Sequence, residues 1–142
     1  MSAAKGAGDV GALVAPGAPL RDALDAIVAG HLGALVAVGD EDAVAALADG
    51  GFTLDARFTP QALYELCKMD GAVTVDASCA RIVLANAHLV PDRRLPTAET
   101  GIRHRTAQQL SLATRAVVIA VSRRRGSITV YRGGRRVVLG AD

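Results

Sequence analysis

DGAVTVDASCARIVLANAHLVPDRRLPTAETGIRHRT, residues 70–106, is the stretch that decides the fold. It opens on a tight acidic turn, Asp70-Gly71-Ala72, in which Gly71 permits a positive φ or a close approach and Ala72 leaves space. Val73 and Val75 then open one strand, and residues 81–84 form another. Residues 91–101 hold two prolines and a glycine and read as a loop. A helix follows over about 103–114, with Ala107, Leu110 and Ala113 as its inner face. It starts on a basic run, Arg103-His104-Arg105, followed by Thr106. Strands, a loop and a helix in this order place the chain in the α/β class.

Upstream, Pro19 precedes a helix whose Leu20, Ala23, Leu24, Ile27 and Val28 make one apolar stripe, with Gly30 placed to end it. Residues 33–38 read as a short buried strand closed by Gly39-Asp40. Asp40 is expected to cap a second helix through Ala48, with Glu41 and Asp42 favoured by its dipole, before Gly50-Gly51 ends it. Thr59-Pro60 is the clearest helix start: threonine caps, proline takes the first helical position, and Leu63, Leu66 and Cys67 supply the buried side. This helix delivers the chain to Asp70. Downstream lies a β-meander: a near-continuous apolar strand over 116–121, an alternating one over 127–131, a hairpin turn at Arg132-Gly133-Gly134-Arg135 and a last strand over 137–139. The expected architecture is α/β (mixed α+β), a central mixed, twisted β-sheet flanked by helices. It forms one domain over residues 18–142, behind a flexible small-residue segment over 1–17.

With 142 residues, 51% of them apolar, the chain can bury a real core, but aromatics are 3% and Trp is absent. That core must therefore be built from Ala, Val, Leu and Ile. The net charge of +2 hides an asymmetry. Residues 1–92 carry 5 basic and 12 acidic side chains, whereas residues 93–142 carry 11 basic and 2 acidic. An anionic ligand is drawn to the C-terminal part, or the two parts neutralise each other across the fold. Cys67 and Cys79 lie outside any C-x-x-C, so zinc and dithiol motifs are absent and a reduced, cytoplasmic setting is expected. No apolar run approaches a membrane span, and no P-loop, G-x-S-x-G or H-E-x-x-H occurs.

Two clusters carry chemistry. An exposed Asp70 carboxylate in a Gly-Ala turn can hold Mg²⁺ or Mn²⁺, hard cations that prefer oxygen, although D-G turns are common. Arg103-His104-Arg105-Thr106 follows Gly101 at a helix N-terminus, where free N–H groups, two guanidinium forks and a hydroxyl suit phosphate. Basic residues at that end oppose the helix dipole, which favours function over mere solvation. Together the two clusters suit a nucleotide polyphosphate. Asn86 and His88 read as closing a turn at a strand end, His31 as structural, and Arg123-Arg124-Arg125-Gly126 as a solvated hairpin turn. A nucleic-acid patch lacks stacking aromatics.

Four segments in order are similar to the diadenylate cyclase (DAC, or DisA_N) domain family: DGA at 70–72, ANAHLVPD at 85–92, ETGIRHRTA at 99–107, and the hairpin from VS at 121–122 to ITVY at 128–131. LRDALDAIVAGHLGALVAVGD at 20–40 and GGFTLDARFTPQALYELCKMDGA at 50–72 resemble the DisA branch of that family. The resemblance runs over about residues 18–139. It implies condensation of two ATP into cyclic di-AMP and two pyrophosphates with Mg²⁺ or Mn²⁺. It also implies a homo-oligomer, at least a dimer, with facing half-sites. By motif, Asp70 would serve the metal and the ribose 3′-hydroxyl, while Gly71 and Ala72 would let ribose and phosphate approach. Leu89 would contact adenine, Arg103, His104, Arg105 and Thr106 the triphosphate, and Ser122 the nucleotide from the hairpin. Ile102 stands where the family usually has threonine, leaving its backbone N–H as the contact. Ile102 and the run at Arg123–Arg125 favour an alternative, a homologue that binds ATP or cyclic di-AMP as a sensor without turnover. DNA binding by this chain alone is not expected, because the helical spine and helix-hairpin-helix domain of longer members lie outside this sequence; nor is a membrane.

Overall fold

The structure is a computed structural model that describes residues 10–140. The expected flexible start falls mostly on residues 1–9, outside the described residues, while Val10–Leu13 forms a single helical turn, α1. The remaining helices are α2 (Pro19–Ala29), α3 (Glu41–Ala46), α4 (Pro60–Leu66) and α5 (Ile102–Ala113). The strands are β1 (Ala34–Val38), β2 (Ala48–Asp49), β3 (Phe52–Arg57), β4 (Ala72–Val75), β5 (Arg81–Leu89), β6 (Val117–Val121), β7 (Ile128–Arg132) and β8 (Arg135–Val138).

The eight strands form one mixed sheet in the order β2-β5-β4-β1-β6-β7-β8, with β3 pairing to the same edge of β5 as β2. β1 runs parallel to β4, and the other pairs are antiparallel. β1, β4 and β6 are buried at every residue, as strands covered on both faces must be.

The two faces are packed differently. Val36, Val38, Val73, Val75, Ile119 and Val121 meet Leu20, Leu24 and Ile27 of α2 and Leu63 of α4. On the opposite face Ala37, Ala72, Ala87, Val118 and Ala120 meet Ala107 and Leu110 of α5 and Val44 of α3. An alanine-rich face lets α5 lie close to the sheet; Leu110, fully buried there, contributes on the order of 2 kcal/mol. The long fully buried side chains of the other face hold α2 and α4 farther out.

Several local expectations hold and several shift. The Thr59 hydroxyl accepts from the Ala62 N–H at 3.0 Å and Pro60 starts α4. Gly30 ends α2 at φ −84, and the left-handed residue is His31 at φ 58. Gly30 is instead a packing glycine: a Cβ there would meet the Tyr64 Oη at 2.6 Å. Asp40 does not cap α3 through its side chain; it sits at φ 47 and accepts from the Arg115 N–H at 2.7 Å, tying β1 to the entry of β6. The helix it precedes stops at Ala46, because Ala48 and Asp49 pair with Leu89 and His88 as β2. β3 was not expected, β5 extends through Asn86 and His88 to Leu89, and Ala113 is exposed rather than inward.

Candidate functional site

The acidic corner is built by backbone fit. Gly71 has φ 91, and a Cβ on it would lie 2.8 Å from the Asn86 carbonyl carbon and 3.0 Å from the Ala87 nitrogen. No other residue can bring the start of β4 this close to β5. Facing it, Asn86 adopts φ 56 inside β5, and the β4–β5 register shifts here. That bulge turns Asn86 so that its Nδ2 donates to the Asp70 carbonyl at 2.5 Å. The Asp70 side chain stays exposed, and no described residue hydrogen-bonds or ion-pairs with it. Ala72 and Ala87, paired across the strands, leave a floor without bulk.

The basic corner is the start of α5. Gly101 precedes it with extended backbone and no side-chain cap, and the first intrahelical bond is from the Arg105 N–H to the Gly101 carbonyl. The N–H groups of Ile102, Arg103 and His104 are therefore left to a ligand or solvent. Ile102 and Arg103 are exposed, but His104 is buried, and its Nε2 has no partner. Burial holds the His104 pKa below the ordinary imidazole value; Glu99 opposes this, while Arg125, Arg103 and Arg136 reinforce it. Arg103 of α5, Arg125 of the turn before β7 and Arg136 of β8 line the same cleft as this ring. Arg105 points elsewhere, its Nη1 donating to the Glu99 carbonyl at 3.3 Å.

The two corners share one cleft of about 840 Å³, within the range of small-molecule sites. Asp70, Gly71, Ala72, Leu89, Ile102, Arg103, His104, Thr106 and Ser122 all line it; of the residues that the family resemblance assigns to the nucleotide, only Arg105 does not. The turn of Arg123, Arg124 and Arg125 is exposed as expected, but it forms one rim of the cleft rather than projecting into solvent alone. Ser122 shapes that turn: its carbonyl accepts from the Gly126 N–H at 2.8 Å and its Oγ from the Arg125 N–H at 3.2 Å.

The DAC family, described as "DisA bacterial checkpoint controller nucleotide-binding", matches residues 21–136. This chain belongs to the DAC family. It is 47% identical over 131 residues to the DNA integrity scanning protein DisA of Clostridium tetani and 50% identical over 126 residues to that of Symbiobacterium thermophilum. These matches cover 92% and 89% of the chain but 36% of each relative. Among solved structures, a hypothetical membrane spanning protein from Bacillus cereus superposes with a TM-score of 0.74 at 29% identity, over 86% of this chain and 62% of that one. DacA from Staphylococcus aureus, as a double cysteine mutant, gives 0.68 at 23% identity over 84% and 83%, which supports the shared fold. Among the described residues of this DAC chain, no helix is long and apolar enough to cross a membrane.

The DAC cleft also contains residues that the sequence reading did not single out. The loop before α5 is strapped to the helix: Arg93 Nη1 donates to Thr106 Oγ1 at 2.8 Å and to Gln109 Oε1 at 3.2 Å. The buried Gln109 returns two bonds from its Nε2 to the Arg93 and Leu95 carbonyls. Thr106 thus holds Arg93, itself on the cleft wall, rather than presenting a free acceptor. Glu99 accepts from the Tyr131 hydroxyl at 2.9 Å and from Arg136 Nε at 2.6 Å. Tyr131 and Arg136 are cross-strand partners on β7 and β8, so the register of the last hairpin places Arg136 at the cleft. A lone glutamate in a strongly basic segment was the available signal. Asn86 and His88 do not close a turn; both lie within β5, and His88 lines the cleft.

A metal would find one free carboxylate at Asp70, and no group of three His, Cys, Asp or Glu side chains among the described residues forms a cage. That donor set fits a hard cation that keeps its waters and binds through one carboxylate plus substrate phosphates.

Proposed function

We propose that this chain is a diadenylate cyclase half-site that condenses ATP into cyclic di-AMP. The observation that carries the reading is the convergence of Asp70 with Arg103, His104, Arg125 and Arg136 on a single cleft sized for one nucleotide. The arginines and the open N–H groups of α5 bind the triphosphate, and the small floor at Gly71, Ala72 and Ala87 receives the ribose. Leu35 and Leu89 offer apolar contact to the base, with Ser122 beside it on the hairpin. Thr106 acts through Arg93, and Arg105 through the Glu99 backbone, rather than by direct contact.

In each of two equivalent steps a ribose 3′-oxygen forms a bond to the α-phosphorus of the other ATP. The bond from that phosphorus to the bridging oxygen breaks, pyrophosphate leaves and the hydroxyl proton passes to solvent. Asp70 would accept a hydrogen bond from that hydroxyl and would be the protein carboxylate that holds Mg²⁺ or Mn²⁺. When bound, the cation supplies charge neutralisation to the phosphates. Catalysis is then chiefly positioning and electrostatics. One chain holds one acidic corner and one basic corner, so the two attacks need two copies with facing clefts; a monomer is inactive. A cytoplasmic setting belongs to the same reading, and DNA is not its ligand.

Incubation with ATP and Mn²⁺ or Mg²⁺ over a range of protein concentrations, followed by chromatography, tests this. Cyclic di-AMP should form at a rate per protomer that rises with concentration, and Asp70→Asn should lower it about a hundredfold without loss of stability. Absence of product at high protein concentration sinks the cyclase reading. Ile102 favours the second reading, a nucleotide sensor: it is 80% exposed at the cleft, an apolar side chain at the phosphate-binding end of α5. That reading expects ATP or cyclic di-AMP binding without turnover.

A further inference from the structure

Arg103 is the arginine that α5 itself presents to the cleft, yet no described carboxylate pairs with it to fix its direction. Its guanidinium lies instead over bare backbone. A Cβ built on Gly33, at the entrance to β1, would fall 2.5 Å from Arg103 Nη1, 2.9 Å from Cζ and 3.1 Å from Nη2. All three contacts are to one planar group, so the fork occupies the space that a side chain at Gly33 would fill. Close by lies Cys67, at the C-terminal end of α4, three residues before Asp70; the Arg103 charge acts on its thiol. Burial nonetheless pushes that thiol up to about 12, so it stays neutral and leaves the arginine charge uncompensated.

Gly33 has no conformational reason to be glycine. Its φ is outside the left-handed region that would exclude an L side chain, unlike that of Gly71 or Gly51. What its missing side chain provides is room for the guanidinium. We propose that Gly33 is a positioning residue: its open backbone is the seat that aims Arg103 at the substrate phosphates. The aim matters because a planar fork binds phosphate through two directed bonds, and a shift of about 1 Å removes one of them. This inference rests on the nucleotide reading above.

Gly33→Ala adds one methyl group at an unstrained position, so circular dichroism and the melting temperature should match the wild type. Pyrophosphate and ATP affinity, measured by calorimetry, should fall about tenfold, close to the loss in Arg103→Ala. In the Arg103→Ala background Gly33→Ala should cost nothing further, a non-additivity that a general packing defect would not produce. A readout without nucleotide is the Arg103 Nε–H resonance in ¹⁵N-labelled protein, which should shift in Gly33→Ala. Additive losses in the double variant, or an unmoved resonance, overturn the proposal. If the wild type binds neither ATP nor pyrophosphate while the resonance does shift, the seat stands and the nucleotide reading fails.

Discussion

Asn86 holds Asp70 in place: from a left-handed backbone at φ 56 in the middle of β5, its Nδ2 donates to the Asp70 carbonyl. The bond is to the main chain, so the carboxylate stays free while the turn that carries it is pinned. Two functions are combined in one residue, a bulge conformation and a hydrogen bond, and substitution separates them. Asn86→Gly keeps the conformation and removes the bond; its melting temperature should stay close to wild type while cyclic di-AMP formation falls about tenfold or more. Asn86→Ala should show the same loss of rate and in addition about 1 kcal/mol of instability, because alanine resists the left-handed region. Equal rates in the wild type and the glycine variant would show that Asp70 needs no such anchor.

Ile102 tests whether the apolar residue limits turnover. It belongs to no core and is 80% exposed, so Ile102→Thr should leave stability unchanged within about 0.5 kcal/mol. The threonine hydroxyl adds a donor at the open end of α5, next to N–H groups that already face the cleft. ATP affinity or cyclase rate should rise several-fold, on the scale of one added hydrogen bond to a charged group. A variant that gains binding but forms no product points to the sensor reading.

Much of this was legible where the cause is local. Thr59-Pro60 announced α4 because a cap and a proline act within one turn, and Gly71 announced its turn because only glycine takes φ 91. β3 was not legible: its six residues are exposed or half-buried, and it is a strand only because the edge of β5 offers it partners. Asp40 had the composition of a cap, but a backbone N–H seventy-five residues away competes for its side chain. The same non-locality hid the other half of the site. Arg136 reaches the cleft through the β7–β8 register, and Arg125 through a turn that the sequence marks only as basic. The motif residues were found as two clusters; the arginines that complete the basic one arrive by tertiary packing.

The buried His104 ring links pH to both folding and binding. Its pKa is held below that of the unfolded chain, so above that ordinary value both states are neutral and nothing is at stake. As the pH falls through the ordinary value towards the depressed one, the unfolded chain takes up a proton that the folded chain refuses, and stability declines. Denaturation at successive pH values should show this decline below about pH 6.5, and His104→Gln should remove it. A bound triphosphate offsets the three arginines that help keep the ring neutral, so ATP binding should draw in a proton near that pH. Calorimetry in buffers of different ionisation enthalpy measures that proton. Equal uptake in the wild type and in His104→Gln would assign it to the nucleotide itself.

Among the described residues Glu99 is the one carboxylate besides Asp70 on the cleft wall, and it pairs with Arg136. It accepts from both Tyr131 and Arg136; burial pushes the tyrosine hydroxyl pKa well above the ordinary phenol value, the bond to Glu99 adds to this, and Arg136 opposes it. On the cyclase reading proposed above, the cleft would bind triphosphate and then release pyrophosphate, and the Glu99–Arg136 ion pair would moderate one of its guanidiniums. Glu99→Gln leaves an amide oxygen to accept from Tyr131 but removes the negative charge, so Arg136 then acts at full strength on the phosphates. Pyrophosphate should become a several-fold stronger inhibitor, with a steeper dependence on salt, while stability falls by about 1 kcal/mol. Tyr131→Phe separates the two effects: it should cost similar stability, because Glu99 loses a buried donor, yet leave pyrophosphate inhibition near the wild-type level since the Glu99–Arg136 pair remains. If Glu99→Gln weakened pyrophosphate binding instead, the glutamate would be orienting Arg136 for contact rather than restraining its charge.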